Sequence, residues 1–166
     1  SKPVPPALRA MLRGYESGES MVTLRTGGWD ALGAHASIVR TEVFVQEQRI
    51  PREMEWDEAD HTALHAVVYN RLDQPLATGR LLVHGPGQGR IGRMAVNRVM
   101  RGAGLGRDVL KALVQAAQAR GDHQVLLHAQ RSAEAFYDNQ GFRPRGEPFE
   151  EAGIPHIEMF TDLKPA

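Results

Sequence analysis

The chain of 166 residues contains no cysteine. Disulfides, thiolate nucleophiles and cysteine-based metal sites are therefore excluded, and a reducing cytoplasm is the simplest home. No apolar run approaches the length that spans a bilayer and no signal peptide is legible, so no membrane association is expected. An excess of charge is missing too. Twenty Lys and Arg residues balance twenty Asp and Glu, so no global field favours nucleic acid or a membrane surface. The seven histidines are scattered. His61 and His65 are four apart, but in a segment that reads as strand and without an H-E-x-x-H context, so no metal is expected. Repeats and low-complexity tracts are absent.

What is present is enough for one domain with a proper core. Residues 1–20, with three prolines near the start and a helical turn or two over Ala7–Arg13, read as a partly ordered extension. Residues 21–166 read as a single domain. A strand over Met21–Thr26 is followed by a helix from Ala31 to about Gln48. Asp30 is its expected N-cap, and Ile38, Val39, Val43 and Phe44 face a core. Pro51 ends that helix. Strands over Ala63–Tyr69 and Leu76–His84 flank a polar turn, and a second turn over Gly85–Gly89 leads into a central strand carrying Ile91, Met94 and Val96. Leu105, Val109, Leu110, Leu113, Val114 and Ala117 then mark one apolar helical face, closed by Gly121. A buried strand over Gln124–Ala129, a short helix over Ala133–Asn139 capped by Ser132, a strand after Gly141-Phe142 and a last strand over His156–Asp162 complete the order β-α-β-β-β-α-β-α-β-β.

Between the central strand and the amphipathic helix lies Arg101-Gly102-Ala103-Gly104-Leu105-Gly106. Glycines at a helix start leave backbone N–H groups uncovered, and with the positive end of the helix dipole they form an anion site. Arg90, Arg93, Arg98, Arg101 and Arg107 surround it, so a phosphate-bearing ligand is the natural occupant. A dinucleotide fingerprint needs its third glycine one residue later, where Arg107 stands, and a P-loop needs a Lys followed by Ser or Thr. A second charge block balances this one. Glu42, Glu47, Glu53, Glu55, Asp57, Glu58 and Asp60 face only Arg49 and Arg52 in the same stretch, which suits a cation.

The Arg-x-x-Gly-x-Gly turn, with Met94-Ala95-Val96 before it, resembles the acetyl-CoA signature of the GNAT N-acetyltransferase superfamily. Phe136-Tyr137 followed by Gly141-Phe142 resembles that family's second block. Val43-Phe44-Val45-Gln46-Glu47-Gln48, Glu55-Trp56-Asp57 with Asp60, and Glu151-Ala152-Gly153-Ile154-Pro155-His156 bring the chain nearest to an ElaA-like subgroup. The resemblance covers about residues 21–163. It implies the GNAT fold, an α/β (α+β) architecture with a mixed, mostly antiparallel sheet of six to seven strands, flanked by helices, whose splayed central strands bind acyl-CoA. It also implies acetyl-CoA as co-substrate, without a metal. Met94, Ala95 and Val96 would align the pantetheine. Arg101, Gly102, Ala103, Gly104, Leu105, Gly106 and Arg107 would hold the pyrophosphate, and Gln130 stands where the family commonly has Asn.

The implied function is N-acetylation of a primary amine on a small molecule or peptide by direct transfer in a ternary complex, which the lack of cysteine fits. Tyr137 would protonate the leaving thiolate. Glu47, Glu55, Asp57 and His65 are the candidate bases and spacing does not choose among them. Glu47 is assigned that role, with Glu55, Asp57 and His65 at the acceptor. The expected partners are that amine and at most a second copy of the chain. Arg40-x-x-x-Phe44 and Glu55-x-Asp57-x-x-Asp60 also resemble acyl-homoserine-lactone synthases, the second reading. A non-catalytic acyl-CoA sensor is the third.

Overall fold

Among the described residues of the computed structural model seven strands form one open sheet in the order β1-β2-β3-β4-β5-β7-β6. They are β1 (Val22–Gly27), β2 (Leu64–Asn70), β3 (Pro75–Gly85), β4 (Gln88–Val96), β5 (Gln124–Gln130), β6 (Arg143–Glu151) and β7 (Ile154–Asp162). The described residues are 21–166, with Pro3, Pro5 and Pro6 ahead of them. The rest of the expected extension, including Ala7–Arg13, lies outside them. Neighbouring strands are antiparallel except β4 and β5, which run parallel. The mixed, mostly antiparallel sheet of six to seven strands expected from the sequence is observed with seven.

Helix α2 (Leu105–Ala119) packs on one face of the sheet through Leu105, Val109, Leu110, Leu113 and Ala117, all buried. They join Ala66, Leu81, Ile91, Leu127, Phe142 and Met159 in the main core. Truncating a fully buried leucine such as Leu113 (0% exposed) to alanine costs about 2–5 kcal/mol, the transfer term plus the cavity. Helix α1 (Trp29–Arg40) covers the opposite face at β2, where Leu32 and Ala36 meet Val67 and Tyr69. The short α3 (Glu134–Asn139) follows β5.

The helix expected over Ala31–Gln48 differs in three respects. It starts at Trp29 with Gly28 as N-cap, so Asp30 lies in the first turn instead of capping it. Its last seven residues, Thr41–Glu47, form a π-helix, which breaks the 3.6-residue period. The buried stripe runs Ala36, Val39, Arg40 and Val43, leaving the expected core residue Ile38 47% exposed. An arginine holds the position that an apolar reading gives to Ile38. Ser132 does not cap α3 either, because Arg131–Ala133 form a 3-10 turn and Ala133 takes the N-cap position.

What positions the site is a bulge in β4. Arg80 pairs with Gly92 and Thr78 with Ala95, so Arg93 and Met94 together oppose Gly79. Arg93 adopts φ 51° to make room, a strained conformation for a non-glycine residue. Gly79 makes the bulge affordable, since a Cβ there would lie 2.6 Å from Met94 Sδ and 2.8 Å from Val109 Cγ1. Pairing between β4 and β5 runs only from Gln88–Gln124 to Ile91–Leu127. Past the bulge the two strands part.

Candidate active site

The gap between the diverging strands opens into a cleft of about 1020 Å³. Met94, Ala95 and Val96 of β4 form one wall, His128 and Gln130 of β5 the other, and the glycine turn closes one end. In that turn Gly102 and Gly104 adopt φ 86° and 82°, values open to glycine and to few other residues. Gly104 is the N-cap of α2. The first helical bond runs from Asp108 N–H to Gly104 O, 3.1 Å, so the N–H groups of Leu105, Gly106 and Arg107 have no partner within the helix. Gly102, Gly104, Leu105, Gly106 and Arg107 all line the cleft, while Ala103 is buried beneath the turn.

Arg101 works differently from a free phosphate ligand. Its guanidinium donates to both oxygens of Glu47, at 2.6 Å each, and to the Val96 carbonyl at 3.2 and 3.3 Å. It thereby ties the turn to the end of the π-helix and to β4. Glu47, expected as the base, is consumed in this pair. The hydrogen bond from Arg101 holds its carboxyl below the usual range despite partial burial, which makes it a poorer proton acceptor.

Tyr137 of α3 lines the cleft and is 8% exposed. Its ring sits edge-on between Phe136 and Phe142, at 5.0 and 6.1 Å. The hydroxyl makes no hydrogen bond to any described residue. Burial pushes the phenol well above its ordinary pKa, so at neutral pH it is protonated and offers a hydrogen bond, while being a weaker acid than a free phenol. Gln130 and Gln48 exchange amide hydrogen bonds of 2.9 and 3.3 Å across the cleft. The sequence reading placed Gln130 here and missed Gln48, whose position depends on the π-helix.

The acidic loop is not available to a cationic acceptor in the way its charge count implies. Arg40, 1% exposed, forms a bidentate pair with Asp60 at 2.8 and 2.9 Å and an ion pair with Glu55 at 2.6 Å. Arg80 reaches Asp57 at 2.6 Å and Asp60 at 2.8 Å, and Arg93 reaches Asp57 at 3.4 Å. Three carboxylates are thus answered by three arginines from α1, β3 and the β4 bulge. Glu55 and Asp57 line the cleft, but as halves of ion pairs. His65, expected at the acceptor, is 0% exposed. Its Nε2–H donates to the Asp60 carbonyl at 2.9 Å, and burial holds its pKa down. It supports the loop from behind and does not line the cleft. The signal for this network was the even split of Arg against Asp and Glu, which apolar periodicity ignores.

Burial raises the pKa of Asp60, but hydrogen bonds and charge from Arg40 and Arg80 outweigh it and bring the carboxyl to about 2. A group depressed on folding from 3.8 to about 2 contributes about 2 kcal/mol, present above pH ~4 and lost as pH falls through ~2. Asp60→Asn is therefore expected to remove part of the acid limb of stability between pH ~4 and ~2. At neutral pH it lowers stability by about 3–5 kcal/mol, because Arg40 and Arg80 are left under-compensated. Urea melts across pH read both effects.

Among the described residues no group of three or more His, Cys, Asp or Glu side chains is placed to hold a metal. No helix there is long and apolar enough to cross a membrane.

Comparison with known proteins agrees with this geometry. Residues 31–163 match the family model described as acetyltransferase (GNAT) domain. A Bacillus subtilis protein described as uncharacterized N-acetyltransferase YjcF is 41% identical over 128 residues, covering 76% of this chain and 90% of the relative. An acyl-CoA N-acyltransferase from Pseudomonas aeruginosa superposes with a TM-score of 0.75 at 33% identity, covering 84% of this chain and 98% of that one. Escherichia coli ElaA gives 0.75 at 28% identity, with coverage of 84% and 99%. The acyl-homoserine lactone synthase BjaI shares the fold alone, with a TM-score of 0.71 at 16% identity over 86% of this chain and 84% of that one. A sheet that splays at a β4 bulge, a glycine turn at the cleft and a match over most of the sequence lead to one assignment. The chain belongs to the GNAT acetyltransferase family and is an acyltransferase.

Proposed function

We propose that the protein is an acetyl-CoA-dependent N-acetyltransferase that transfers the acetyl group directly to a primary amine. The observation that carries this reading is Tyr137, a buried, protonated phenol with no hydrogen-bond partner among the described residues, lining the cleft that the glycine turn closes. Coenzyme A supplies a thioester, an activated acyl group with a thiolate leaving group. The uncovered N–H groups of Leu105, Gly106 and Arg107 and the guanidinium of Arg107 would hold its phosphates. The exposed strand edge at Met94, Ala95 and Val96 would align the pantetheine as an added strand, and its backbone N–H groups would polarise the thioester carbonyl. Gln130 would reach the same arm once its bond to Gln48 opens.

In the chemical step a bond forms between the amine nitrogen and the acyl carbon while the carbon–sulfur bond breaks. Tyr137 gives its proton to the departing sulfur and is reprotonated from solvent. The amine's proton leaves to water in the cleft, since Glu47 is held by Arg101 and His65 is sealed beneath the loop. Arg101 becomes a positioning residue that braces the turn. A cytoplasmic location belongs to the same reading.

Bisubstrate kinetics test this. Direct transfer predicts intersecting initial-velocity lines when acetyl-CoA and amine are varied together. Parallel lines, the pattern of a covalent acyl-enzyme, would contradict it, and absence of thiol release with every amine would favour the sensor reading.

A further inference from the structure

Among the described residues five arginines line the cleft: Arg80, Arg90, Arg93, Arg101 and Arg107. Three are neutralised, Arg80 and Arg93 by the acidic loop and Arg101 by Glu47. Among the described residues Arg90 and Arg107 have no carboxylate within 4 Å. Arg107 belongs to the glycine turn, where phosphate is proposed. Arg90 stands on β4 two residues before Gly92, on the far side of the bulge. No phosphate of a cofactor seated at the turn explains it.

The surroundings of Arg90 are built from elements remote from the glycine turn. Its Nη2 donates to Nδ1 of His128 on β5, 2.9 Å away. A guanidinium only donates, so Nδ1 carries the lone pair and His128 is the neutral Nε2–H form. That N–H faces Glu158 at 3.4 Å, a carboxylate already held by Arg145 at 2.8 Å. Glu151, at the β6–β7 turn, lies 3.7 Å from the same His128 Nδ1 and 3.7 Å from Nε2 of His156. His156 Nδ1–H donates to the Ile154 carbonyl at 2.6 Å, so its ring is fixed. Glu151 is 48% exposed. Arg90, His128, Glu151 and His156 all line the cleft. A cation and an anion thus both approach one imidazole nitrogen without pairing with each other.

A part-buried arginine without a counter-ion has lost hydration that no protein anion repays. A planar carboxylate offers the bidentate geometry a guanidinium favours. We infer that the acceptor carries a carboxylate that binds Arg90, with its ammonium end toward Glu151: an amino acid, or another amine with a carboxylate a few bonds away. This inference rests on the N-acetyltransferase reading and replaces the cationic acceptor suggested by the acidic loop.

The test pairs free glycine, L-methionine and L-phenylalanine with their primary amides as acceptors, at a pH where each amine is equally deprotonated. Thiol release gives kcat/KM for each. The acid is expected to be preferred over its amide by about 10- to 100-fold, the range of a hydrogen-bonded charge. That preference should collapse toward unity in Arg90→Gln and recover in part in Arg90→Lys, with circular dichroism and melting temperature confirming folded protein. Equal use of acids and amides by the unmutated protein, or a preference that survives Arg90→Gln, overturns the inference while leaving N-acetyl transfer intact. Thiol release with none of the six compounds is answered by calorimetry of L-methionine against L-methioninamide on the coenzyme A complex. Selective binding of the acid, lost in Arg90→Gln, supports the site, and no selectivity overturns it. Failure of N-acetyl transfer itself is read separately, from thiol release across a wider amine panel.

Discussion

Tyr137→Phe is expected to lower kcat by about 10²–10⁴-fold, the range typical of lost general-acid assistance. The substitution keeps the ring between Phe136 and Phe142 and removes only the hydroxyl. That hydroxyl has no hydrogen-bond partner among the described residues, so nothing else in the fold is left unsatisfied by its loss. Thermal stability and acetyl-CoA affinity should therefore stay nearly constant. The pairing of a large rate effect with a small stability effect is what separates an acid from a packing residue. If kcat falls less than about tenfold, water protonates the thiolate. If melting temperature drops by many degrees, the phenol's role is to hold α3 against the sheet.

The second large effect is expected at Gly104. With φ 82°, a β-branched residue here would strain the backbone by about 1–3 kcal/mol and confuse folding with binding. Asn tolerates the left-handed region and is a good N-cap, so Gly104→Asn should fold with little change in melting temperature. Its side chain would occupy the space proposed for a phosphate and cover the N–H groups of the turn. Each charge-assisted hydrogen bond lost is worth about 1.5–3 kcal/mol, so acetyl-CoA affinity should fall by at least about tenfold per bond. Calorimetric titration of the folded variant checks this. Unchanged affinity would remove the turn from the cofactor site.

The elements and their order were legible because each follows from a local rule. Period-3.6 apolar spacing marks α2, glycine marks the turn before it, and alternating or continuous apolar runs mark most of the strands, the exposed β6 excepted. The larger departures lie where a long-range contact overrides the local pattern. The π-helix at Thr41–Glu47 brings Val43 and Phe44 against Ala95, a β4 partner invisible from the helix sequence. Arg40 occupies a core stripe because Glu55 and Asp60 come from a later loop to meet it. The β4 bulge needs Gly79 on the neighbouring strand, and a lone glycine in a strand does not say which neighbour it serves.

The same division runs through the site. The glycines of the turn and the aromatics Phe136 and Tyr137 lie at the cleft, as the sequence pattern implied. Charged residues do not follow the pattern, since a carboxylate's role depends on which cation reaches it. Glu47, Glu55 and Asp57 looked like free acids in the chain and are ion pairs in the fold. Arg90 looked like one phosphate ligand among five and stands apart with His128 and Glu151.

In the proposed reaction an acetyl group passes from coenzyme A to an amine without stopping on the protein. The most direct measurement is product stoichiometry, following released thiol and, by mass spectrometry, both the acceptor and the intact protein in one reaction with acetyl-CoA and the six acceptors above. One N-acetylated acceptor is expected for each thiol released, with no gain of mass on the protein. Thiol release with acetyl retained on the protein, or a homoserine lactone formed from S-adenosylmethionine and an acyl donor in place of an acetylated amine, would contradict the proposed reaction.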